Sequence, residues 1–512
     1  MNGWPILSIM TWAPFVGAVL IMFTARHRPL LVRMISVVTT GISLVTAIFA
    51  YIAYDRDAAG FQFYEELALV PQLGIKYQLG IDGMSLLMVL LTGIIIFAGS
   101  FASWTVKERS QEFYALLLLL VTGVFGVFVS LDLFVLFLFY EIAVLPMYLL
   151  IGIWGSSGQV RPQGIFGWAM RRTGVGTKEY AAMKLTLYLL FGSAFILVGI
   201  LALYVAAGSS SFSFLEMELT EFDPGLQSWV FLAFYVGFGI LAGIWPLHTW
   251  SPDGHASAPT AVSMLHAGVL MKLGAYGVVR LGMGLLSDGT LQWAWLVGGI
   301  ACINIVYGAL SAMAQTDLKY VIAYSSVSHM GVVMLGAATL TEHGLNGSVF
   351  QMFAHGIMTG LFFALVGLVY EKAHSREIFK MGGFGRMMPG IATAFTVGGL
   401  SSLGLPATAG FVAEFLSFLG AWQSAHSWWL FPAVIGAFLT SIYVLRVTKQ
   451  IFWGPLSPDP HFHDLHDAKG PEWAALVILM FCLILFGLAP GIALGPVDTA
   501  TVPLLIRLGA LR

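Results

Sequence analysis

Glu141, Lys272 and Glu414 each lie deep inside a long apolar run. Glu141 is near the middle of DLFVLFLFYEIAVLPMYLL, and Glu414 follows Pro406 by eight residues in GLPATAGFVAEFLSFLGAW. Lys272, in SMLHAGVLMKLGAYGVV, has no other charged residue within seven positions on either side. A charge at the centre of a bilayer costs at least ~2.5–3.5 kcal/mol on insertion scales, so such residues face a polar interior and act on ions or protons there. Lys184 is a milder case. It sits about one turn into its run, where its stem can also reach an aqueous surface.

Histidines lie in the same regions. His248 and His255 flank the Pro-interrupted stretch HTWSPDGHASAPT, His266 precedes Lys272 by six residues, and His329 and His355 fall in two later apolar runs. Imidazole takes up and releases protons around neutrality. A lone intramembrane histidine is most simply a hydrogen-bonder, but several beside central Glu and Lys describe a proton relay. His461, His463 and His466 in HFHDLHD follow a Pro-rich turn and read as a solvated loop, not a metal site. Asp82 and Asp132 each precede an apolar helix and read as N-caps.

The elements that must position these groups are membrane helices. Of 512 residues, 58% are hydrophobic and 10% charged, and the mean hydropathy is +0.86. Soluble chains carry roughly 25% charged residues. About fourteen apolar spans run from 5–24 to 472–491. The runs are too long and too unalternating for barrel strands, so the predicted fold class is an all-α polytopic membrane protein in one domain, 1–512. The N-terminus lacks a basic n-region, so the first span reads as retained.

Lys and Arg gather in the loops opposite the termini, among them Arg26, Arg161, Arg171, Arg172, Lys319, Arg376 and Lys380. Arg56, Lys76, Arg280, Arg507 and Arg512 fall on the terminal side, so both termini are expected on the outer, periplasmic side. The Gly-rich basic stretch 154–179 is then an inner loop. Cys302 and Cys482 are unpaired in spacing, and no GxGxxG, P-loop or CxxC occurs. No metal, cofactor or nucleic-acid site is expected in this chain.

The stretches LGIDGMSLLMVLLT, LFYEIAVLPMYLLIGIWG, WPLHTWSPDGHASAPTAVSMLHAGVLMKLGAYGVVR, AQTDLKYVIAYSSVSHMG, QMFAHGIMTGLFFALVG and GLPATAGFVAEF resemble the signatures of the M-type antiporter-like subunits of complex I, the proton-pumping NADH:quinone oxidoreductase. The resemblance implies fourteen helices with two inverted five-helix repeats, here 113–281 and 292–452, and breaks in helices seven and twelve. It implies that Glu141, Lys272, His355 and Glu414 are the fifth-, eighth-, eleventh- and twelfth-helix groups of a proton path. His266, Lys184, His248 and His329 join them as candidates.

The same resemblance implies an energy-transducing inner membrane and membrane partners that include L- and N-type chains. NADH, FMN, Fe–S clusters and quinone are implied for partner subunits. One departure stands out: the family's seventh-helix lysine is replaced by Leu241, leaving His266 as the expected substitute base. A subunit of a Na⁺/H⁺ antiporter or membrane-bound hydrogenase, a free-standing solute transporter and a proton-inert spacer are the alternative readings.

Overall fold

The computed structural model describes residues 4–23, 28–58, 60–157 and 174–511. Arg26, Arg161, Arg171, Arg172 and Arg512, and most of the 154–179 loop, lie outside the described residues. Helices dominate because a chain this apolar must satisfy its backbone polar groups internally. Among the described residues, twelve helices are long and apolar enough to cross a membrane. Helix α1 (Ile6–Met22) is shorter, and the twelfth expected span is two half-helices.

Four helices, α2 (Pro29–Ala53), α3 (Gly83–Ala102), α4 (Ser110–Val129) and α5 (Leu133–Trp154), follow α1. An antiparallel hairpin, β1 (Gln62–Val70) and β2 (Ile75–Ile81), joins α2 to α3 with Leu67 opposite Tyr77. Helix α6 (Lys178–Ala206) leads to the first broken helix, α7 (Pro224–Ala242) and α8 (Trp250–Ser257). Helix α9 (Thr260–Met283) carries Lys272 and contains two π-helical turns, His266–Leu270 and Val278–Met283. Helices α10 (Ser287–Ala314), α11 (Leu318–Ala338) and α12 (Glu342–Ala373) precede the second break, between α13 (Pro389–Ser402) and α14 (Ala409–Gln423). Helices α15 (Leu430–Thr448), α16 (Pro471–Leu488) and α17 (Gly491–Arg507) complete the order.

Helices α3, α9, α11 and α12 form the interior, and α2, α6, α15 and α16 leave much of their surface outside. Glycines set the closest approaches. A Cβ on Gly356 would lie 2.6 Å from the carbonyl oxygen of Gly268, so α9 and α12 touch backbone to backbone. A Cβ on Gly274 would lie 2.4 Å from the carbonyl of Phe238 on α7, and one on Gly347 2.5 Å from the amide of Ser417 on α14. These three contacts draw α7 and α12 onto the helix that holds Lys272, and α14 onto α12.

Three expectations about charge need correction. Lys319 and Arg376, read as loop cations, are buried. Lys319 Nζ donates to Ala258 O at 2.8 Å, and Arg376 pairs with Asp317 at 3.1 Å and donates to Ala256 O at 2.7 Å. They sit there because α8 ends at Ser257 and its last carbonyls lack helical partners, which cations satisfy. Asp82 does cap α3 through the amide of Ser85, but it also binds Arg280 at 2.5 Å. Arg280 is therefore a largely buried pair member and not a loop charge.

Candidate functional site: a string of buried bases and acids

The centre of the bundle is built on α9. At His266–Leu270 the helix widens to a π turn, in which the Met271 amide reaches back to His266 O. Such turns loosen the backbone ladder and are common at functional sites. Here the Lys272 ammonium donates to the carbonyl of Ala267 in that turn and lies 2.7 Å from His355 Nδ1 on α12. The Gly268–Gly356 contact is one residue from His355, so it fixes this short distance.

From His355 the polar groups continue towards the second break. The His355 and His329 rings are 5.3 Å apart between centroids. His329 Nδ1 lies 3.1 Å from Glu414 Oε1, and its Nε2 is 3.2 Å from the Ser402 hydroxyl. Glu414 sits beside the break: a Cβ on Gly404 would be 3.0 Å from Oε2. Gly404 has φ +72°, a left-handed conformation that glycine adopts without strain. Lys272, His355, His329 and Glu414 are all buried. Four side chains predicted one by one from separate helices thus form one line.

A second group gathers where α8 meets α9. His255 and His266 have ring centroids 4.1 Å apart, Trp250 stacks on His266 at 5.1 Å, and His255 Nε2 is 3.3 Å from Met271 Sδ. Trp250 Nε1 donates to Ile240 O at 2.9 Å, tying α8 to the end of α7 across the break. Asn304 bridges the same break, accepting from the Trp245 amide and donating to Val327 O, each at 2.8 Å. His248 is buried against Tyr307, with 5.0 Å between rings.

Two predicted residues stand elsewhere. Glu141 is central along α5 but only half-buried, in line with the outward-facing Leu138, Leu145 and Tyr148. Its polar neighbour is Ser193 on α6. It therefore does not join the interior line as expected. The substitution of His266 for a seventh-helix cation beside Glu141 is not seen either: His266 packs on His255 and Trp250, and Leu241 is fully buried. Lys184 does not simply extend to a surface. It binds Asp253 Oδ2 at 2.8 Å, and Tyr320 donates to Asp253 Oδ1 at 2.9 Å.

Sequence reasoning passed over Asp253, Ser402 and Asn304, and it gave His255 no role of its own. The signal for Asp253 was its place inside the Pro-interrupted stretch between His248 and His255. In the 461–467 loop, Asp467 accepts from the Gly390 and Ile391 amides at the start of α13. Cys302 and Cys482 are free and buried.

Comparison with known proteins follows the same lines. A family model described as NADH:quinone oxidoreductase/Mrp antiporter, TM, matches residues 169–440. The chain is 36% identical to NAD(P)H-quinone oxidoreductase chain 4 1 of Synechococcus sp. (strain JA-3-3Ab), over 98% of this chain and 93% of that protein. It is 34% identical to NAD(P)H-quinone oxidoreductase chain 4 of Gloeobacter violaceus, over 96% and 90%. A chain of respiratory complex I from Thermus thermophilus superposes with a TM-score of 0.86 and 27% identity, covering 98% of this chain and 99% of that one. A chain of the Mrp complex from Dietzia sp. DQ12-45-1b shares the fold, with a TM-score of 0.82, 20% identity and 99% coverage of both.

Proposed function

Because the chain belongs to the NADH:quinone oxidoreductase/Mrp antiporter family of transmembrane subunits, we propose that it translocates protons as an antiporter-like subunit of a complex I-type quinone oxidoreductase. The observation that carries this reading is the line Lys272–His355–His329–Glu414. A protonated Lys272 donates towards His355 Nδ1, and an imidazole that gains a proton on one nitrogen releases one from the other. His329, already against Glu414, completes the transfer to the carboxylate. The proton thus moves laterally, from the middle of α9 to the second break.

The donor set favours protons over sodium. Three of the four groups are nitrogen bases, whereas hard cations take oxygen ligands. Residues 113–281 and 292–452 are read as two halves, each contributing one broken helix. Redox chemistry belongs in this reading to partner subunits holding NADH, FMN, Fe–S clusters and quinone. The two isolated cysteines do not supply the set of thiolates that holds an Fe–S cluster. Glu141 supports partners within the membrane, since a carboxyl on an outward face needs a polar surface against it. L- and N-type membrane subunits are the proposed neighbours, in an energy-transducing inner membrane with both termini outside.

The test is Lys272→Ala in the whole complex, purified and reconstituted into vesicles. Translocation is expected to fall by roughly tenfold or more, the scale of losing one proton-transfer group, with the complex still assembled. Native pumping by the assembled variant would refute the proposal.

A further inference from the structure

Resting on the proton-translocating reading above, we propose that Asp253 is the acid through which protons reach the line, and that its ion pair with Lys184 is the latch that controls their passage. Asp253 is held by Lys184 at 2.8 Å and by the Tyr320 hydroxyl at 2.9 Å. Its side chain is 25% exposed, while His255, His266 and Lys272 are at most 1% exposed. It is thus the group of this series that reaches the surface of the chain. It also lies on α8, near the face where α6 and α11 begin, opposite the termini.

The step inward passes over Gly254. A Cβ there would lie 3.1 Å from His266 Cε1 and 3.8 Å from His266 Nδ1, so the imidazole rests directly over the residue that follows Asp253. The same Cβ would lie 2.9 Å from Leu185, the neighbour of Lys184 in sequence. His266 is buried, and neither of its ring nitrogens has a hydrogen-bond partner among the described residues. An unpartnered buried imidazole is costly unless it serves a transfer or is bridged by water. Its ring touches His255, which in turn touches Met271, one residue before Lys272.

While Lys184 is paired with it, the Asp253 carboxylate is held by the ammonium and passes no proton inward. When the pair parts, the carboxyl takes a proton from solvent and gives it to His266, returning to carboxylate. Lys184 then closes on it again. Each cycle leaves Asp253 unchanged and one proton further inward. A latch of this kind makes uptake depend on the position of α6 relative to α8, the two elements that carry the pair.

The two partners therefore have opposite expected phenotypes. In the whole complex, reconstituted into vesicles and driven by its own electron donor, Asp253→Asn is expected to lower proton translocation at least about tenfold. Lys184→Met is expected to let protons leak, so that vesicles lose an imposed pH gradient several-fold faster without turnover. The double variant is expected to be tight and inactive. Native translocation by Asp253→Asn would overturn the proposal. So would equal losses in both single variants with recovery in the double, the pattern of a purely structural ion pair. If Asp253→Asn does not assemble, Asp253→Glu, which keeps the titrating group, serves instead. It is expected to pump at reduced rate, and an assembled Glu variant without pumping would overturn the latch. Failure of Lys272→Ala to affect pumping would refute the central line, whereas a silent Asp253→Asn beside an inactive Lys272→Ala refutes the inlet alone.

Discussion

Lys272 stands buried in the middle of the bundle because its neighbours replace much of what water would provide. The π turn supplies the Ala267 carbonyl and α12 supplies His355 Nδ1. Removing the ammonium leaves these two acceptors buried without that donor, at ~1–3 kcal/mol for each unsatisfied group. Glu141 lacks such an interior setting, and its role is expected to depend on a neighbouring subunit. Glu141→Gln preserves volume and removes the titrating group, so proton translocation in reconstituted vesicles is expected to fall about tenfold with assembly intact. Unchanged translocation would reduce Glu141 to an interface contact. The depth of Lys272, Glu141 and Glu414 was legible in the sequence, because a charge in an apolar run is conspicuous. The direction Glu141 faces was not. Lipid tails and protein interior are equally apolar, so α5 shows no periodicity that separates the two sides.

Among the elements, the second break was legible from its residues, Gly404 and Pro406, whereas the break in helix seven came only from the family resemblance. The structure ends α7 at Ala242 and α13 at Ser402. The π turns had no such mark, since GVLMKLG reads as ordinary apolar helix. An ideal helix separates His266 from Lys272 by about 9 Å along the axis, a spacing that takes no account of the π turn between them. Lys319 and Arg376 were also misread, because capping of a half-helix end by distant cations is a tertiary contact. The backbone contact between α9 and α12 makes a sharp test. Gly356→Val places side-chain atoms against Gly268 O and Leu91, an overpacking that typically costs ~1–3 kcal/mol. It is expected to lower the melting temperature of the purified complex and to weaken pumping by lengthening the Lys272–His355 contact. Native stability and pumping would mean that the helices yield without consequence.

The molecule as a whole is a bundle whose polar line runs across its interior between two breaks, with ion pairs towards both faces. The terminal side carries Asp82–Arg280, the β-hairpin and α17, which ties Asp498 to Asn346. The opposite side carries Lys184–Asp253 and Asp317–Arg376. Orientation can be read by labelling. A cysteine replacing exposed Ser157 is expected to react only from the cytoplasmic side and one replacing exposed Ser209 only from outside. Reaction of both from one side would break the topology. The central claim is that protons pass through the buried line, and His355→Gln addresses it most directly. Glutamine keeps a hydrogen-bond acceptor for Lys272 but cannot carry a proton near neutrality. The decisive measurement is protons translocated per electron by the reconstituted complex bearing this variant. The expected result is a complex that assembles and transfers electrons but pumps fewer protons per electron; a ratio equal to that of the native complex would contradict the claim.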